Sequence, residues 1–123
     1  MIKNTITFIG VVFLIVGILG FFMNPILGIF ETDAIHNIIH LATGIAAILT
    51  GLTSEAAARG SAKLFGVIYA VVAVLGLISP AGDILGIIAN NSADTLFHFV
   101  FAAIFLVLGF APEKMPGRTA MSH

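Results

Sequence analysis

Two histidines one helical turn apart interrupt an otherwise apolar stretch of the sequence. They are His36 and His40 in the segment DAIHNIIHLATG, residues 33–44. Side chains at positions i and i+4 of a helix lie on one face, so the two imidazoles can share one ligand. Neutral imidazole is the commonest metal ligand among the side chains, and it suits zinc, copper, iron and haem. The pair is therefore the first candidate for chemistry in this chain.

The composition shows the class of protein in which these histidines lie. Hydrophobic residues make up 59% of the 123 residues and charged residues only 9%, and the mean hydropathy is +1.16. Soluble domains carry about 25% charged residues, so the composition indicates an integral membrane protein. The absence of cysteine excludes disulfides and thiolate metal sites. A net charge of −1 argues against a nucleic-acid partner.

Four long apolar runs predict the elements that position the histidines. Each run is close to the ~20 residues that a helix needs to cross a bilayer core of about 30 Å. The runs are continuous rather than alternating, which argues against membrane strands. They occupy about residues 5–23, 34–52, 62–79 and 94–111. We therefore predict an all-α, integral membrane four-helix bundle as one domain over residues 1–112, followed by a flexible cytoplasmic tail, residues 113–123.

The distribution of lysine and arginine predicts how the bundle is oriented. All five lie near the termini or between the second and third runs: Lys3, Arg59, Lys63, Lys114 and Arg118. By the positive-inside rule, both termini and the central loop face the cytoplasm. The first run lacks a cleavage site and is expected to be a retained helix. We expect a bacterial inner-membrane protein with His36 and His40 near its outer face.

The two halves of the sequence repeat each other. FIGVVFLIVGILGF at residues 8–21 matches LFGVIYAVVAVLGL at residues 64–77 with an offset of 56, and the tripeptide LGI recurs with an offset of 58. Each repeat holds two helices, so both repeats start on the same side of the membrane and run parallel. We predict two parallel helical-hairpin repeats, residues 5–52 and 62–111.

The duplication brings two further side chains to the depth of the histidine pair. At the offset of 58, His98 corresponds to His40 and Asp94 corresponds to His36. One hypothesis is a divalent metal ion bound by His36, His40, Asp94 and His98. Another is a haem held between His40 and His98 as symmetric axial ligands.

Other interpretations stay open at this stage. The histidines can instead join helices by hydrogen bonds in an accessory or structural subunit of a larger membrane complex, including one that carries a pigment such as chlorophyll. They can also serve a quinone- or proton-linked redox or transport component. Besides the lipid bilayer, a second copy of the chain is a candidate partner. The sequence contains no nucleophile–base pair, phosphate loop or cysteine motif, so we expect a protein without enzymatic activity.

The segment around the histidine pair resembles the signature of a known family. GIFETDAIHNIIHLATGIAAILTG is similar to the stretch F-x-x-x-x-x-H-N-x-x-H-x-x-x-G of the domain-of-unknown-function 4383 family of bacterial membrane proteins. The matching positions are Phe30, His36, Asn37, His40 and Gly44. The resemblance covers most of the chain and implies four transmembrane helices, with no established activity. The architecture is also similar, at the level of the fold, to DoxX-like membrane proteins.

Overall fold

In the computed structural model, the described part of the chain, residues 1–79 and 83–112, forms four α-helices and no β-strand. The helices are α1 (Ile2–Phe22), α2 (Ala34–Thr53), α3 (Glu55–Ile78) and α4 (Ser92–Phe110). All four are long and apolar enough to cross a membrane. The chain is therefore a multi-pass membrane protein, and the predicted fold class is confirmed. The predicted tail, residues 113–123, lies outside the described residues.

The second and third helices are joined by a single residue. Ser54 ends α2, and its side chain accepts a hydrogen bond from the backbone N–H of Ala57 at 3.0 Å, which caps the start of α3. As a result, α3 begins at Glu55 rather than near residue 62, because the polar loop sequence SEAAARGSAK continues the helix. This tight joint connects the first helical hairpin to the second.

The helices that carry the candidate residues start at equivalent caps in the two repeats. Asp33 caps α2, as its residue type predicts, by accepting a hydrogen bond from His36 N at 2.8 Å. Serine is also a residue type that caps helices, but α4 is capped by Asn91 rather than by Ser92, and Asn91 accepts from Asp94 N at 2.8 Å. Asn91 lies 58 residues after Asp33, so the repeat indicates the correct cap better than residue propensity does.

Each hairpin is closed by glycines that let two helices approach closely. A Cβ atom built on Gly10 of α1 would lie 2.8 Å from the carbonyl oxygen of Gly44 on α2 and 2.8 Å from the Ile48 side chain. In the second hairpin, a Cβ on Gly66 would lie 2.7 Å from Leu106, the repeat equivalent of Ile48. Small residues allow this approach in membranes, where apolar burial does not drive helices together. The duplication therefore extends from sequence to packing.

Two matching loops close the end of the bundle at which the histidines lie. In both, the tripeptide LGI turns through the left-handed region, with φ of 52° at Leu27 and 55° at Leu85. The loops are tied crosswise to the other repeat. Ala89 N donates to Asp33 Oδ2 at 2.9 Å, and Asn91 Nδ2 donates to the carbonyl of Ile29 at 2.8 Å. These bonds fix the starts of α2 and α4 relative to each other.

A layer of aromatic side chains fills the middle of the bundle, next to the histidines. Phe13 on α1 lies with its ring centroid 5.2 Å from Tyr69 on α3, 5.0 Å from Phe101 and 5.9 Å from Phe105 on α4. Phe13, Tyr69 and Phe105 are fully buried. The layer joins the two hairpins through side chains rather than through close backbone contact.

At the opposite end of the bundle, Arg59 of α3 holds the last turn of α4. Its Nη1 donates to the carbonyls of Ala111 at 2.6 Å, Gly109 at 3.4 Å and Leu108 at 3.5 Å. A cation at a helix C-terminus satisfies carbonyls that have no partner within the helix and interacts favourably with the helix dipole. Arg59 therefore joins the two helices of the second hairpin.

Arg59→Met is expected to lower the free energy of unfolding by about 1 kcal/mol, because it removes these bonds and keeps the aliphatic stem. Denaturant unfolding in detergent micelles, followed by circular dichroism, measures the change. Arg59→Lys keeps the charge but not the fork of donors and should fall between the two. Unfolding of Arg59→Met at the wild-type midpoint would show that the arginine does not stabilise α4.

Candidate metal centre

Three histidines from two helices converge in the interior near one end of the bundle. His36 and His40 come from α2 and His98 comes from α4. Their side chains are almost fully buried, with exposed fractions of 2%, 3% and 1%. One ring nitrogen from each can be chosen so that the three atoms all lie within 4.8 Å of one another. The structure thus brings together three of the four predicted metal ligands.

The His36 ring is held in one orientation by the loop of the second repeat. Its Nδ1 lies 2.8 Å from the carbonyl oxygen of Ala89. A carbonyl oxygen can only accept, so Nδ1 carries the proton and Nε2 is left with a lone pair. That Nε2 atom is buried and has no hydrogen-bond partner within the described residues. His36 therefore presents an available ligand atom to the interior.

His40 and His98 add further unpaired nitrogens to the same region. Both ring nitrogens of His40, and Nδ1 of His98, are buried without a hydrogen bond to any part of the chain that the structure describes. The ring centroids lie 4.4 Å apart for His36 and His40 and 6.0 Å apart for His40 and His98. Leaving a buried polar atom unpaired costs about 1–3 kcal/mol. Four such atoms lie in one cluster, which is unusual because buried polar atoms are nearly always paired.

Aromatic rings shield the cluster from the rest of the bundle. His40 lies against Phe13 and Phe97, with ring centroids 5.5 Å and 5.9 Å away. His98 lies 5.6 Å from Tyr69, whose hydroxyl is 2.8 Å from Thr43 Oγ1. The tyrosine hydroxyl is thus paired with the threonine. Aromatic side chains border the cluster toward the middle of the bundle, and polar loops border it at the nearer end of the bundle.

Asp94, the fourth predicted ligand, lies outside the group of three histidines. Its carboxylate Oδ2 accepts from Asn91 N at 3.0 Å and completes a capping box at the start of α4. Together with Glu31 and His40, it also lines a small cavity of about 70 Å³ beneath the first loop. Apart from Thr32, the remaining residues that line this cavity are apolar, including Ile26 and Phe97. Asp94 therefore lines the same cavity as His40, but its carboxylate is bonded within the cap of α4.

Comparison with known proteins identifies the family. The family model described as domain of unknown function DUF4383 matches residues 3–111. The chain belongs to this family. The match spans all four helices and both loops, and it confirms the resemblance carried by the motif around the histidine pair. No curated protein and no solved structure is significantly similar to the chain.

Other residues support this DUF4383 site without being evident in the sequence. Asn37, which follows His36, is fully buried and accepts a hydrogen bond from Thr32 Oγ1. In the second repeat Asn90 Nδ2 donates to Thr95 Oγ1 at 3.0 Å. At the offset of 58 these two pairs correspond, with asparagine and threonine exchanged. Aligning the repeats by polar character rather than by identity would have revealed both pairs.

The contacts of Tyr69 and Ala89 were also not predicted from the sequence. Tyr69 aligns with Phe13 at the offset of 56, so the duplication alone indicates a core position for its ring. The carbonyl of Ala89 carries no signal in its side chain, because any residue at that position supplies the same acceptor. Only the shape of the second loop brings that carbonyl to His36.

Proposed function

We propose that this protein binds one divalent transition-metal ion between α2 and α4 through His36, His40 and His98. The observation that carries the proposal is the set of four buried, unpaired ring nitrogens on three converging histidines. A metal ion is a partner that suits them, because neutral imidazoles are its preferred nitrogen ligands. An all-imidazole set suits zinc, copper, nickel or iron better than magnesium or calcium.

The orientation of His36 supports this assignment. Histidines that bind metals almost always donate their other ring N–H to a carbonyl or carboxylate, which fixes the ring and its tautomer. His36 has this arrangement, with Nδ1 bonded to Ala89 and Nε2 buried without a partner among the described residues. Zinc–nitrogen bonds of 2.0–2.1 Å place tetrahedral ligand atoms about 3.3 Å apart. One ring nitrogen from each histidine already lies within 4.8 Å of the other two, so binding requires the rings to approach by about 1.5 Å at most.

The cavity beside His40 offers a fourth ligand. Its volume of about 70 Å³ leaves room for water, and zinc sites with three histidines keep a fourth position for water or a substrate. Asp94 lies on the wall of this cavity, so its carboxylate is the alternative fourth ligand, at the expense of its cap. In either case the ion is reached from the end of the bundle that carries the loops.

A haem or chlorophyll between His40 and His98 has less support. Pockets for ligands of that size usually enclose about 300–1,000 Å³, whereas the cavity at His40 encloses about 70 Å³. The Phe97 ring lies 5.9 Å from His40 and 5.8 Å from His98, where a macrocycle would have to insert. A macrocycle therefore requires α2 and α4 to separate, whereas a single ion is small enough to lie among the three rings.

Elemental analysis of protein purified without a histidine tag tests the proposal. After chelation and reloading with zinc, copper, nickel or iron, the wild type is expected to retain about one ion per chain after desalting, without a Soret band. His98→Leu should lose the ion. His123→Ala, which removes the fourth histidine of the sequence, should keep it. A metal-free wild type after reloading would refute the site, and a Soret band in the purified protein would favour haem.

The orientation and location follow the same proposal. Lys3, Arg59 and Lys63 favour cytoplasmic termini, which places the histidine cluster near the outer face of a bacterial inner membrane. The site would then exchange ions with the outside rather than with the cytoplasm. Association with a second copy or with a larger membrane complex stays a prediction from the sequence.

A further inference from the structure

A second concave surface lies at the end of the bundle that carries the histidines. It is bordered by the C-terminal end of α3, the N-terminal end of α4 and the first loop. It is an open groove of about 650 Å³. Its polar wall includes Glu31 and Asn90, and its apolar wall includes Leu77, Leu96 and Phe99. None of the three histidines lines it. The groove is therefore separate from the proposed metal centre, and the two share only the Glu31 side chain among the residues that line both cavities.

Asn90 gives the groove a buried hydrogen-bond acceptor that has no donor among the described residues. The residue is only 3% exposed, and its Nδ2 is used in the bond to Thr95. Its Oδ1 atom is buried and accepts no hydrogen bond from any described residue. Burial of an unpaired carbonyl oxygen is unfavourable unless a donor reaches it. A ligand that supplies an N–H or O–H group would satisfy this atom.

The charge around the groove selects a cationic donor. Glu31 is an exposed carboxylate on the same wall, and neither loop at this end, residues 23–33 or 79–91, contains a lysine or arginine. The described lining residues likewise include no basic side chain. An anionic group would meet a carboxylate and find no cation, whereas an ammonium group would meet two acceptors.

The apolar wall indicates what the cation is attached to. Leu77 and Leu96 are 68% and 66% exposed on the outer surfaces of α3 and α4. Leu77 lies one residue before the end of α3 and Leu96 lies in the second turn of α4, with Phe99 one helical turn deeper. The groove thus lies at the ends of two membrane-spanning helices, where lipid headgroups meet acyl chains. A buried polar acceptor beside exposed apolar side chains at this boundary matches a phospholipid.

We propose that the groove binds a phospholipid with a primary ammonium headgroup, of the phosphatidylethanolamine class. The ammonium donates to Asn90 Oδ1 and pairs with the Glu31 carboxylate, and an acyl chain packs against Leu77, Leu96 and Phe99. Phosphatidylcholine carries the same charges but has no N–H donor. It therefore cannot satisfy Asn90 and serves as the matched comparison.

Native mass spectrometry of the tag-free protein, mixed with equimolar phosphatidylethanolamine and phosphatidylcholine of identical acyl chains, tests the proposal. We expect phosphatidylethanolamine to be retained about fivefold or more over phosphatidylcholine, as one charge-assisted hydrogen bond implies. Equal retention of the two lipids would overturn the proposal. Preferential retention of phosphatidylglycerol in a parallel mixture would do the same, because it would indicate an anion site.

Matched variants distinguish the loss of the binding group from a general disturbance of the fold. Asn90→Leu should abolish the preference, whereas Thr95→Val, which removes the same internal hydrogen bond but keeps Oδ1, should retain it. Glu31→Gln should weaken the preference and Asp83→Asn, an acidic residue outside the groove lining, should not. Retention of the preference in Asn90→Leu would contradict the assignment, and so would its loss in Thr95→Val. Metal content is measured on the same samples and should stay at the wild-type level in Asn90→Leu, whose side chain lines the groove and not the cavity at His40, so the two proposals fail separately.

Discussion

Gly44→Ala is expected to destabilise the protein by about 1–3 kcal/mol, the usual cost of overpacking, although it adds a single methyl group. A Cβ on Gly44 would lie 2.7 Å from the carbonyl oxygen of Gly10 and 2.7 Å from the backbone nitrogen of Leu14. Both are main-chain atoms of α1 and cannot rotate away. The methyl group must therefore push α1 and α2 apart, and it loosens the hairpin that carries His36 and His40.

Gly60→Ala is the matched control for this change. Gly60 also lies inside a helix, but a Cβ built on it would meet no atom of the described chain within 4 Å. Alanine is the better helix former, so this variant should gain about 0.5–1 kcal/mol. Unfolding of both variants in detergent micelles, followed by circular dichroism, gives the comparison. Equal effects of the two substitutions would show that helix propensity, rather than the close approach of α1 and α2, determines the result.

The sequence predicted the elements of the fold because hydropathy alone identifies segments that can cross a bilayer. The internal duplication added a relation between distant residues, which hydropathy cannot provide, because it paired His40 with His98, 58 residues apart. The structure brings these two histidines together with His36. A repeat constrains position because equivalent residues in two similar hairpins lie at the same depth. For that reason the depth of the cluster was predictable before its geometry was known.

The details of the site were not predictable, because they depend on the backbone of the loops. The carbonyl of Ala89 reaches His36 only through the second loop, where Leu85 has a φ of 55°. Asp94 matches His36 by offset and was expected to be a ligand, but its short side chain reaches Asn91 N and completes the cap. A pattern of residue types fixes the face and depth of a side chain and leaves its hydrogen-bond partner undetermined.

In the absence of metal, His40→Leu is expected to stabilise the protein by about 1–2 kcal/mol, even though it replaces a buried polar residue. Both ring nitrogens of His40 are buried without a partner among the described residues, and leucine fills a similar volume without polar atoms. His36→Leu is expected to do the reverse and lose about 1 kcal/mol, because it leaves the Ala89 carbonyl without the Nδ1–H donor. The two substitutions are chemically identical and differ only in the pairing of the nitrogens that they remove.

Adding zinc should make the wild type more stable than both variants. A ligand that binds only the folded state at 100 times its dissociation constant adds about 2.7 kcal/mol, and only the wild type retains the three histidines that would hold the ion. Unfolding in micelles, once with a chelator and once with zinc, measures all four differences. If histidines served only to join helices, His40→Leu would be less stable than the wild type with the chelator, and zinc would change neither protein. Stabilisation of the wild type by zinc, together with a His40→Leu variant that is more stable without the ion and unresponsive to it, would show that His40 serves binding at a cost in stability.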